Sequence, residues 1–256
     1  MDHPVVSREA WTAAREALLA REKAFTRERD RLSAARRALP WVRVDKPYRF
    51  VGPDGAETLA ELFGGRSQLI VYHFMFGPDW AEGCPGCSLL ADTIDGAAVH
   101  LAQRDVTLLA VSRAPLARIA PFQRRMGWRF KWVSSHASDF NVDFGVSFTE
   151  ADRAAGTVRY NFAEQPFVSD ELSGVSVFYR DRSGAVFHTY SSYGRGGDLL
   201  IGAYNYLDLV PKGRDEASLA FGMAWVRHHD RYAAGQAVDP AATGGPPDDA
   251  GCCRGT

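Results

Sequence analysis

The chain has 256 residues, of which 46% are hydrophobic, 12% aromatic and 24% charged, the composition of an ordinary globular protein. Its 30 basic and 31 acidic residues give a net charge of −1, so no overall field attracts nucleic acid or an anionic membrane. The longest apolar and aromatic run, residues 69–76, is less than half of the ~20 residues that a membrane helix needs. We therefore expect neither a nucleic-acid partner nor a membrane partner.

The N-terminus has neither the basic region nor the apolar region of a secretory signal, which predicts a cytoplasmic protein. Stable structural disulfides are rare in that reducing compartment. The four cysteines are nevertheless clustered, with Cys84 near Cys87 and Cys252 beside Cys253.

Residues 7–39 contain neither Gly nor Pro and are rich in Ala, Arg, Glu and Leu, which predicts a long helix that ends at Pro40. Its apolar residues recur at spacings of three, four or seven and form a thin stripe: Trp11, Ala14, Leu18, Phe25 and Leu32. Nine basic and five acidic residues lie between Ser7 and Arg37. We favour a solvated helix laid across the domain or a partner subunit, with an anionic partner as the alternative. Residues 1–40 are thus predicted to be a helical arm that could mediate homo-oligomer formation.

Past Trp41 the chain changes to short apolar runs separated by Gly and Pro. Residues 48–55 predict a strand and turn, and a short helix follows through residues 59–63. Strands are predicted at 68–76, 106–111 and 130–134, with helices at 84–103 and 115–126 between them. Strands that alternate with helices of this length indicate an α/β sheet with right-handed crossovers.

The remainder of the chain predicts an insertion, a hairpin and a tail. Residues 135–173 are irregular and are interpreted as an insertion packed on the sheet. The segments 174–179 and 185–191 flank a turn and predict a β-hairpin, followed by a helix over 198–209. We assign residues 41–232 to one domain. Gly, Pro and Ala make up 14 of the 24 residues 233–256, which predicts a disordered tail.

The spacing of Cys84 and Cys87 is suited to thiol chemistry. If Cys84 caps the helix that follows the strand at 68–76, unpaired backbone amides and the helix dipole lower the pKa of its thiol. Cys87 then lies one turn further on, within reach of a mixed disulfide at Cys84. Pro85 suits the first helical turn because its missing N–H would have no partner there.

Two other interpretations of the pair stay open. Metal binding is the first alternative, but a structural zinc site normally takes four ligands, and the other close pair, Cys252 and Cys253, is adjacent and lies in the predicted tail. Inert packing is the second alternative, because Cys often behaves as a small hydrophobic residue. We favour redox chemistry over both because a strand precedes the pair and a helix follows it. No role is predicted for Cys252 and Cys253.

The order of elements around the cysteine pair resembles a thioredoxin-like fold. Residues 9–232 further resemble the bacterial thioredoxin-like domain-of-unknown-function family 899. The resemblance rests on EKAFTR at 22–27, LPW at 39–41, YHFMFGPDW at 72–80, DFN at 139–141, GVSVF at 174–178 and TYSSYGRG at 189–196. It implies a thioredoxin-like fold with an N-terminal helical extension and an insertion before the C-terminal hairpin, and a thiol site at the cysteine pair.

The chain departs from better understood relatives of this fold at two places. Thioredoxins place a cis-proline opposite the cysteine pair, whereas that position here is expected to be Val175 or Ser176. Its absence makes metal capture easier. Peroxiredoxins carry Thr or Ser three residues before the attacking cysteine, and this chain has Ala81 there. A peroxidase would therefore lack one donor to its substrate.

Several further residues are candidates for the site. Arg113 follows the second core strand and Arg195 follows the hairpin, so either is a candidate to bind an anionic substrate or favour the thiolate, with a plain surface charge as the alternative. His188 is the best third metal ligand or acid–base group, while His73, inside an apolar strand, is interpreted as a hydrogen-bonded core residue. His136 and the pair at 228–229 are weaker candidates.

The sequence thus favours a cytoplasmic thiol–disulfide oxidoreductase in which Cys84 attacks and Cys87 resolves. Its expected partners are a disulfide substrate and a cellular thiol reductant, without an organic cofactor. The first alternative is a copper- or zinc-binding protein that uses Cys84, Cys87 and His188. The second is a non-enzymatic interaction module with the basic helix as its docking element.

Overall fold

The computed structural model describes residues 3–232. The predicted tail and its two cysteines, Cys252 and Cys253, lie outside the described residues. The chain divides into two compact units, one ending at Trp41 and one beginning at Val42. Within the described part, no helix is long and apolar enough to cross a membrane.

The first unit contains one long helix, α1 (Arg8–Arg37). Ser7 caps its N-terminus because its side chain accepts a hydrogen bond from the Ala10 N–H at 3.2 Å. Along the helix, Arg15 pairs with Glu22 at 2.8 Å, and Arg31 pairs with Glu28. The helix predicted over 7–39 is therefore present, and intrahelical ion pairs account for part of its charge.

The second unit is built on an eight-stranded sheet. Its strands are β1 (Val42–Arg43), β2 (Arg49–Gly52), β3 (Gly55–Thr58), β4 (Gln68–His73), β5 (Val106–Ser112), β6 (Trp132–Ser134), β9 (Gly174–Arg180) and β10 (Val186–Tyr193). They lie in the order β1-β10-β9-β4-β5-β6-β2-β3. Strands β4, β5 and β6 are parallel, whereas β9 is antiparallel to β4 and β10 is antiparallel to β9. The central order β10-β9-β4-β5, with these directions, is a thioredoxin-like arrangement, as predicted.

Helices cover the sheet and form the insertion. They are α2 (Pro85–Ala91), α3 (Ile94–Ala102), α4 (Leu116–Arg125), α5 (Phe140–Asp143), α6 (Glu150–Ala155) and α7 (Gly202–Leu207), with 3-10 helices at Glu61–Phe63, Gly194–Leu200 and His229–Arg231. The insertion between β6 and β9 also contains a separate hairpin of β7 (Thr157–Tyr160) and β8 (Ala163–Pro166).

Two predicted helices are interrupted. The helix expected over 84–103 is divided into α2 and α3, because Thr93 donates its hydroxyl to the Leu90 carbonyl at 2.8 Å and Asp92 accepts from the Trp128 indole at 2.8 Å. These contacts hold the junction in a turn. The helix expected over 198–209 is likewise a 3-10 helix followed by the short α7.

Alternating residues of the central strands supply two hydrophobic cores, one on each face of the sheet. Leu69 and Val71 of β4 pack on one face with Phe140 and Phe178, while Tyr72 packs on the other with both cysteines. We call these the aromatic face and the cysteine face. The buried side chains of β4 and β9 are divided between these two faces by their position in the strand.

Candidate functional site

The cysteine pair lies where β4 leads into α2. Cys84 is the residue that caps α2, and Pro85 occupies the first helical position, as predicted. The Cys84 N–H donates to the Met75 carbonyl at 3.0 Å, and the Met75 N–H donates to the Cys87 sulfur at 3.5 Å. The main chain of Met75 therefore fixes the position of both cysteines. Neither forms a disulfide, and each is only 3% exposed.

Cys84 joins the first turn of α2 through its carbonyl, and its side chain makes no capping hydrogen bond to that turn. The Cys84 carbonyl accepts from the Ser88 N–H and from the Ser88 hydroxyl, both at 2.9 Å. Since the first N–H groups of a helix have no intrahelical acceptor, they present partial positive charge to a side chain at this position. Cys87 lies inside the helix, and its sulfur accepts the hydrogen bond from the Met75 N–H.

Both cysteines line one cavity of about 130 Å³ on the cysteine face. Most of its walls are apolar or aromatic side chains from β4 and the loop after it, α2, the insertion, β9, β10 and the segment after β10. They include Tyr72, Met75, Leu90, Tyr160, Leu172, Val175, Tyr193, Ile201 and Met223. Polar groups come mainly from Ser173 and from the segment 192–198. This is the composition of a ligand pocket with a few directed polar groups.

Tyr160, at the end of β7, connects two walls of the cavity. Its hydroxyl donates to the Ser173 carbonyl at 2.7 Å and accepts from the Gly194 N–H at 2.8 Å. Burial raises the pKa of Tyr160 to about 12, and the nearby Cys87 acts in the same direction. The hydroxyl therefore stays protonated and keeps the insertion fixed to both β9 and the segment after β10.

The start of β9 faces the cysteine pair, at the position where thioredoxins have a cis-proline and this chain has none. Ser173, Gly174 and Val175 line the cavity, whereas Ser176 points to the aromatic face and bonds to His73. Val175 is therefore the facing residue, and the alternative, Ser176, is wrong because successive residues of a strand point to opposite faces. No cis peptide bond occurs between residues 3 and 232.

The two predicted arginines have different surroundings. Arg195 lines the mouth of the cavity, with a side chain that is 76% exposed and lies 3.4 Å from Asp198. Arg113 does not line the cavity, and its Nε atom lies 3.1 Å from a carboxylate oxygen of the buried Glu171. Only Arg195 is placed where it could meet a ligand of the cysteine pair.

His188 is not brought to the cysteines. It belongs to a hydrogen-bonded chain on the aromatic face, in which His73 bonds to Ser176 at 2.8 Å, Ser176 to Ser191 at 2.9 Å, and Ser191 to His188 at 2.8 Å. Burial lowers the pKa of His73 to about 3 and also lowers the pKa of His188, so both rings stay neutral. The expectation that His73 is a hydrogen-bonded core residue is consistent with this geometry.

The metal site proposed from Cys84, Cys87 and His188 therefore lacks its third ligand. Within residues 3–232, no three His, Cys, Asp or Glu side chains are grouped so that they could hold a metal ion. The reason is geometric, since the sheet separates His188 from the cysteine face.

The other histidines have separate roles. His136 bonds to the Arg113 carbonyl at 3.2 Å, and His229 pairs with Asp92 at 2.7 Å. His228 is 3% exposed and bonds through Nε2 to the Gly83 carbonyl at 2.8 Å, directly before Cys84. It thereby connects the end of the described chain to the cysteine loop.

Comparison with models of protein families assigns the chain to one family. Residues 1–232 match the model described as "Bacterial protein of unknown function (DUF899)". The chain belongs to this family. The match includes the cysteine pair, the insertion and the closing hairpin of the DUF899 chain. The comparison with curated proteins gave no match.

Several solved structures resemble the DUF899 chain. Peroxidoxin BcpB from Mycobacterium tuberculosis is 15% identical with a TM-score of 0.43, covering 64% of this chain and 94% of its own. A peroxiredoxin Q mutant from Xanthomonas campestris is 15% identical with a TM-score of 0.41, covering 62% and 90%. A putative thiol:disulfide interchange protein DsbE from Chlorobium tepidum is 12% identical with a TM-score of 0.38, covering 64% and 99%. At these identities the likeness concerns the fold alone.

The sequence did not indicate two residues of the insertion, nor the contact that the histidine candidate His228 makes with the cysteine loop. Tyr160 lies in the stretch whose detail could not be predicted, and Glu171 belongs to the same insertion. His228 contacts Gly83, which is 145 positions earlier in the chain. No local pattern indicates contacts over such separations, because they depend on how the insertion and the closing segment fold back onto the sheet.

Proposed function

We propose that the DUF899 chain is a thiol–disulfide oxidoreductase that uses Cys84 as the nucleophile and Cys87 as the resolving thiol. The observation that carries the proposal is that two cysteines, one helical turn apart and not joined in a disulfide, line the same cavity. Inert packing would not require both cysteines to line a common cavity. The thioredoxin-like arrangement of the sheet supports the same kind of chemistry.

The positions of the two sulfur atoms support their different roles. Cys84 is the N-cap residue of α2, where the positive end of the helix dipole favours a thiolate even though the side chain makes no capping hydrogen bond. Cys87 lies within the helix and accepts one N–H from Met75 at 3.5 Å. A nucleophile at the cap and a second thiol one turn later are suited to sequential attack.

The reaction is a pair of thiol–disulfide exchanges. The Cys84 thiolate attacks one sulfur of the substrate disulfide, forms a mixed disulfide and releases the other half as a thiolate that takes up a proton. Cys87, after losing its proton, attacks the Cys84 sulfur and displaces the second half as a thiol. A cellular thiol then reduces the resulting Cys84–Cys87 disulfide by two exchanges, and no organic cofactor takes part.

Trapping of the mixed disulfide tests this order. All proteins should carry Cys252→Ser and Cys253→Ser, so that any adduct must lie on Cys84 or Cys87. With bis(2-hydroxyethyl) disulfide, we expect Cys87→Ser to accumulate an adduct on Cys84, detected by intact-protein mass spectrometry, and the matched variant Cys84→Ser to form none. An adduct on Cys87 in the Cys84→Ser protein at the same rate would contradict the assigned roles.

The same preparations test the metal-binding alternative. Elemental analysis of the reduced protein, purified without chelators, measures copper and zinc per chain. We expect less than stoichiometric metal, because the cavity offers the two thiols without the histidine that was expected to complete the set. A stoichiometric metal that is lost in Cys84→Ser would replace the oxidoreductase proposal.

A further inference from the structure

The two thiols of the proposed redox pair are almost enclosed. Cys84 and Cys87 are each 3% exposed, and both face the same cavity of about 130 Å³. An apolar cavity of about 150 Å³ in an engineered protein holds a molecule the size of benzene. A disulfide that is flanked by its own folded backbone does not fit in such a space.

The cavity is apolar around the sulfur atoms. Met75, Leu90 and Val175 are among its walls, and all three are buried. A charged substituent would lose its hydration there without gaining a counter-charge. The charged groups of the lining, Arg195 and Asp198, lie 3.4 Å from each other, and Asp198 also pairs with Arg214 at 2.8 Å. Arg214 pairs in turn with Asp208 at 2.9 Å, so two guanidinium groups and two carboxylates balance each other at the mouth.

The main chain beside the cysteines offers no free edge to a peptide. Gly174 lies between His73 of β4 and Tyr193 of β10, so both of its sides face neighbouring strands. The Ser173 carbonyl and the Gly194 N–H are both occupied by the Tyr160 hydroxyl. Recognition of a peptide by strand addition requires unpaired backbone groups, and here those groups have partners.

From these three observations we infer that the substrate of the cysteine pair is a small, uncharged organic disulfide, and that disulfides within proteins are excluded. The inference rests on the proposed function. In the complete reaction the substrate disulfide takes two electrons and two protons to become two thiols, while Cys84 and Cys87 lose them and become a disulfide.

The rate at which different disulfides oxidise the reduced pair tests the inference. The protein with Cys252→Ser and Cys253→Ser is mixed with diethyl disulfide, oxidised glutathione or insulin, both in its native state and unfolded in urea. For each disulfide, the rate of oxidation of the native protein is divided by the rate of oxidation of the unfolded protein. This ratio corrects for differences in intrinsic reactivity among the disulfides. We expect this ratio to be at least about tenfold higher for diethyl disulfide than for insulin, since each ~1.4 kcal/mol of required opening lowers the reactive fraction tenfold.

Two variants and one control sharpen the test. Val175→Phe fills the cavity and should lower the ratio for diethyl disulfide, whereas Met223→Ala widens it and should raise the ratio for insulin. Leu209→Ala changes a side chain that is 82% exposed and does not line the cavity, so it should alter neither ratio. If Val175→Phe does not fold, Met223→Ala still tests the exclusion.

Two results would overturn the inference while leaving the proposed function in place. One is a ratio for insulin equal to or above that for diethyl disulfide. The other is a higher ratio for oxidised glutathione than for diethyl disulfide, which would show that charge at the mouth recruits the substrate. If none of the three oxidises the native pair although all oxidise the unfolded chain, the proposed function fails as well.

Discussion

Replacement of Glu171 by Gln is expected to stabilise the protein relative to the wild type as the pH rises from about 5 to about 8. The Glu171 side chain is 2% exposed, accepts a hydrogen bond from the Ser147 hydroxyl at 2.5 Å and lies 3.1 Å from Arg113 Nε. Burial raises the pKa of Glu171 to about 7, and Arg113 opposes this shift only in part. The carboxyl is therefore neutral in the folded protein at moderately acidic pH.

The sign and size of the effect follow from linkage between protonation and folding. A carboxyl whose pKa is higher in the folded state than in the unfolded state holds its proton more tightly when folded. Stability is then highest below the unfolded pKa and falls as the pH rises through the folded value. The rise from 4.5 to about 7 corresponds to about 3 kcal/mol, at about 1.4 kcal/mol per pKa unit. Gln does not ionise, so the stability of the variant does not fall in this way as the pH rises.

Urea unfolding at a series of pH values measures the difference. The free energies of unfolding of Glu171→Gln and wild type should diverge in favour of the variant by about 3 kcal/mol between pH 5 and 8. Glu164→Gln changes an exposed carboxyl of β8 and should show no such divergence. A constant difference between Glu171→Gln and wild type across this range would refute the assignment of a raised pKa to Glu171.

Two further substitutions test how the polar groups of the core are held. Ser176→Ala removes the hydroxyl between His73 and Ser191 and should lower the free energy of unfolding by about 1–3 kcal/mol because a buried ring loses its partner. A loss no larger than that of Ser183→Ala, in an exposed turn, would contradict a stabilising role of this chain. His228→Ala frees the Gly83 carbonyl and should speed hydrogen exchange in the cysteine loop, whereas His229→Ala, which contacts Asp92 instead, should not. Unchanged protection in His228→Ala would show that this contact does not hold the loop.

Local sequence patterns predicted the elements that place the cysteines. The apolar run of β4, Pro85 at the first helical position and the cysteine spacing each act over a few residues, and the structure shows the corresponding strand, cap and pair. The hairpin of β9 and β10 was predicted for the same reason, because its turn chemistry is local. Alternation along β9 could also have indicated that Ser176 faces away from the cysteines.

The surroundings of the pair could not be predicted in this way. Arg113 is a candidate for substrate binding because it follows a core strand. Its partner in the structure is the buried Glu171, which belongs to the insertion and lies 58 positions later in the chain. His188 was a candidate ligand, yet the sheet separates it from Cys84. Tyr160 and His228 carry no signature in their neighbouring residues.

The sequence by itself determined a thioredoxin-like α/β protein with a thiol pair at a strand-to-helix junction, because strand periodicity, helix capping and cysteine spacing are local properties. Only the tertiary structure decided what the thiols face. In it, Tyr160, Ser173 and Val175 surround the thiols, Arg195 lies at the mouth of the cavity, and His188 lies on the other face of the sheet. The physical reason is that the burial and partners of a side chain depend on which distant segments pack against it.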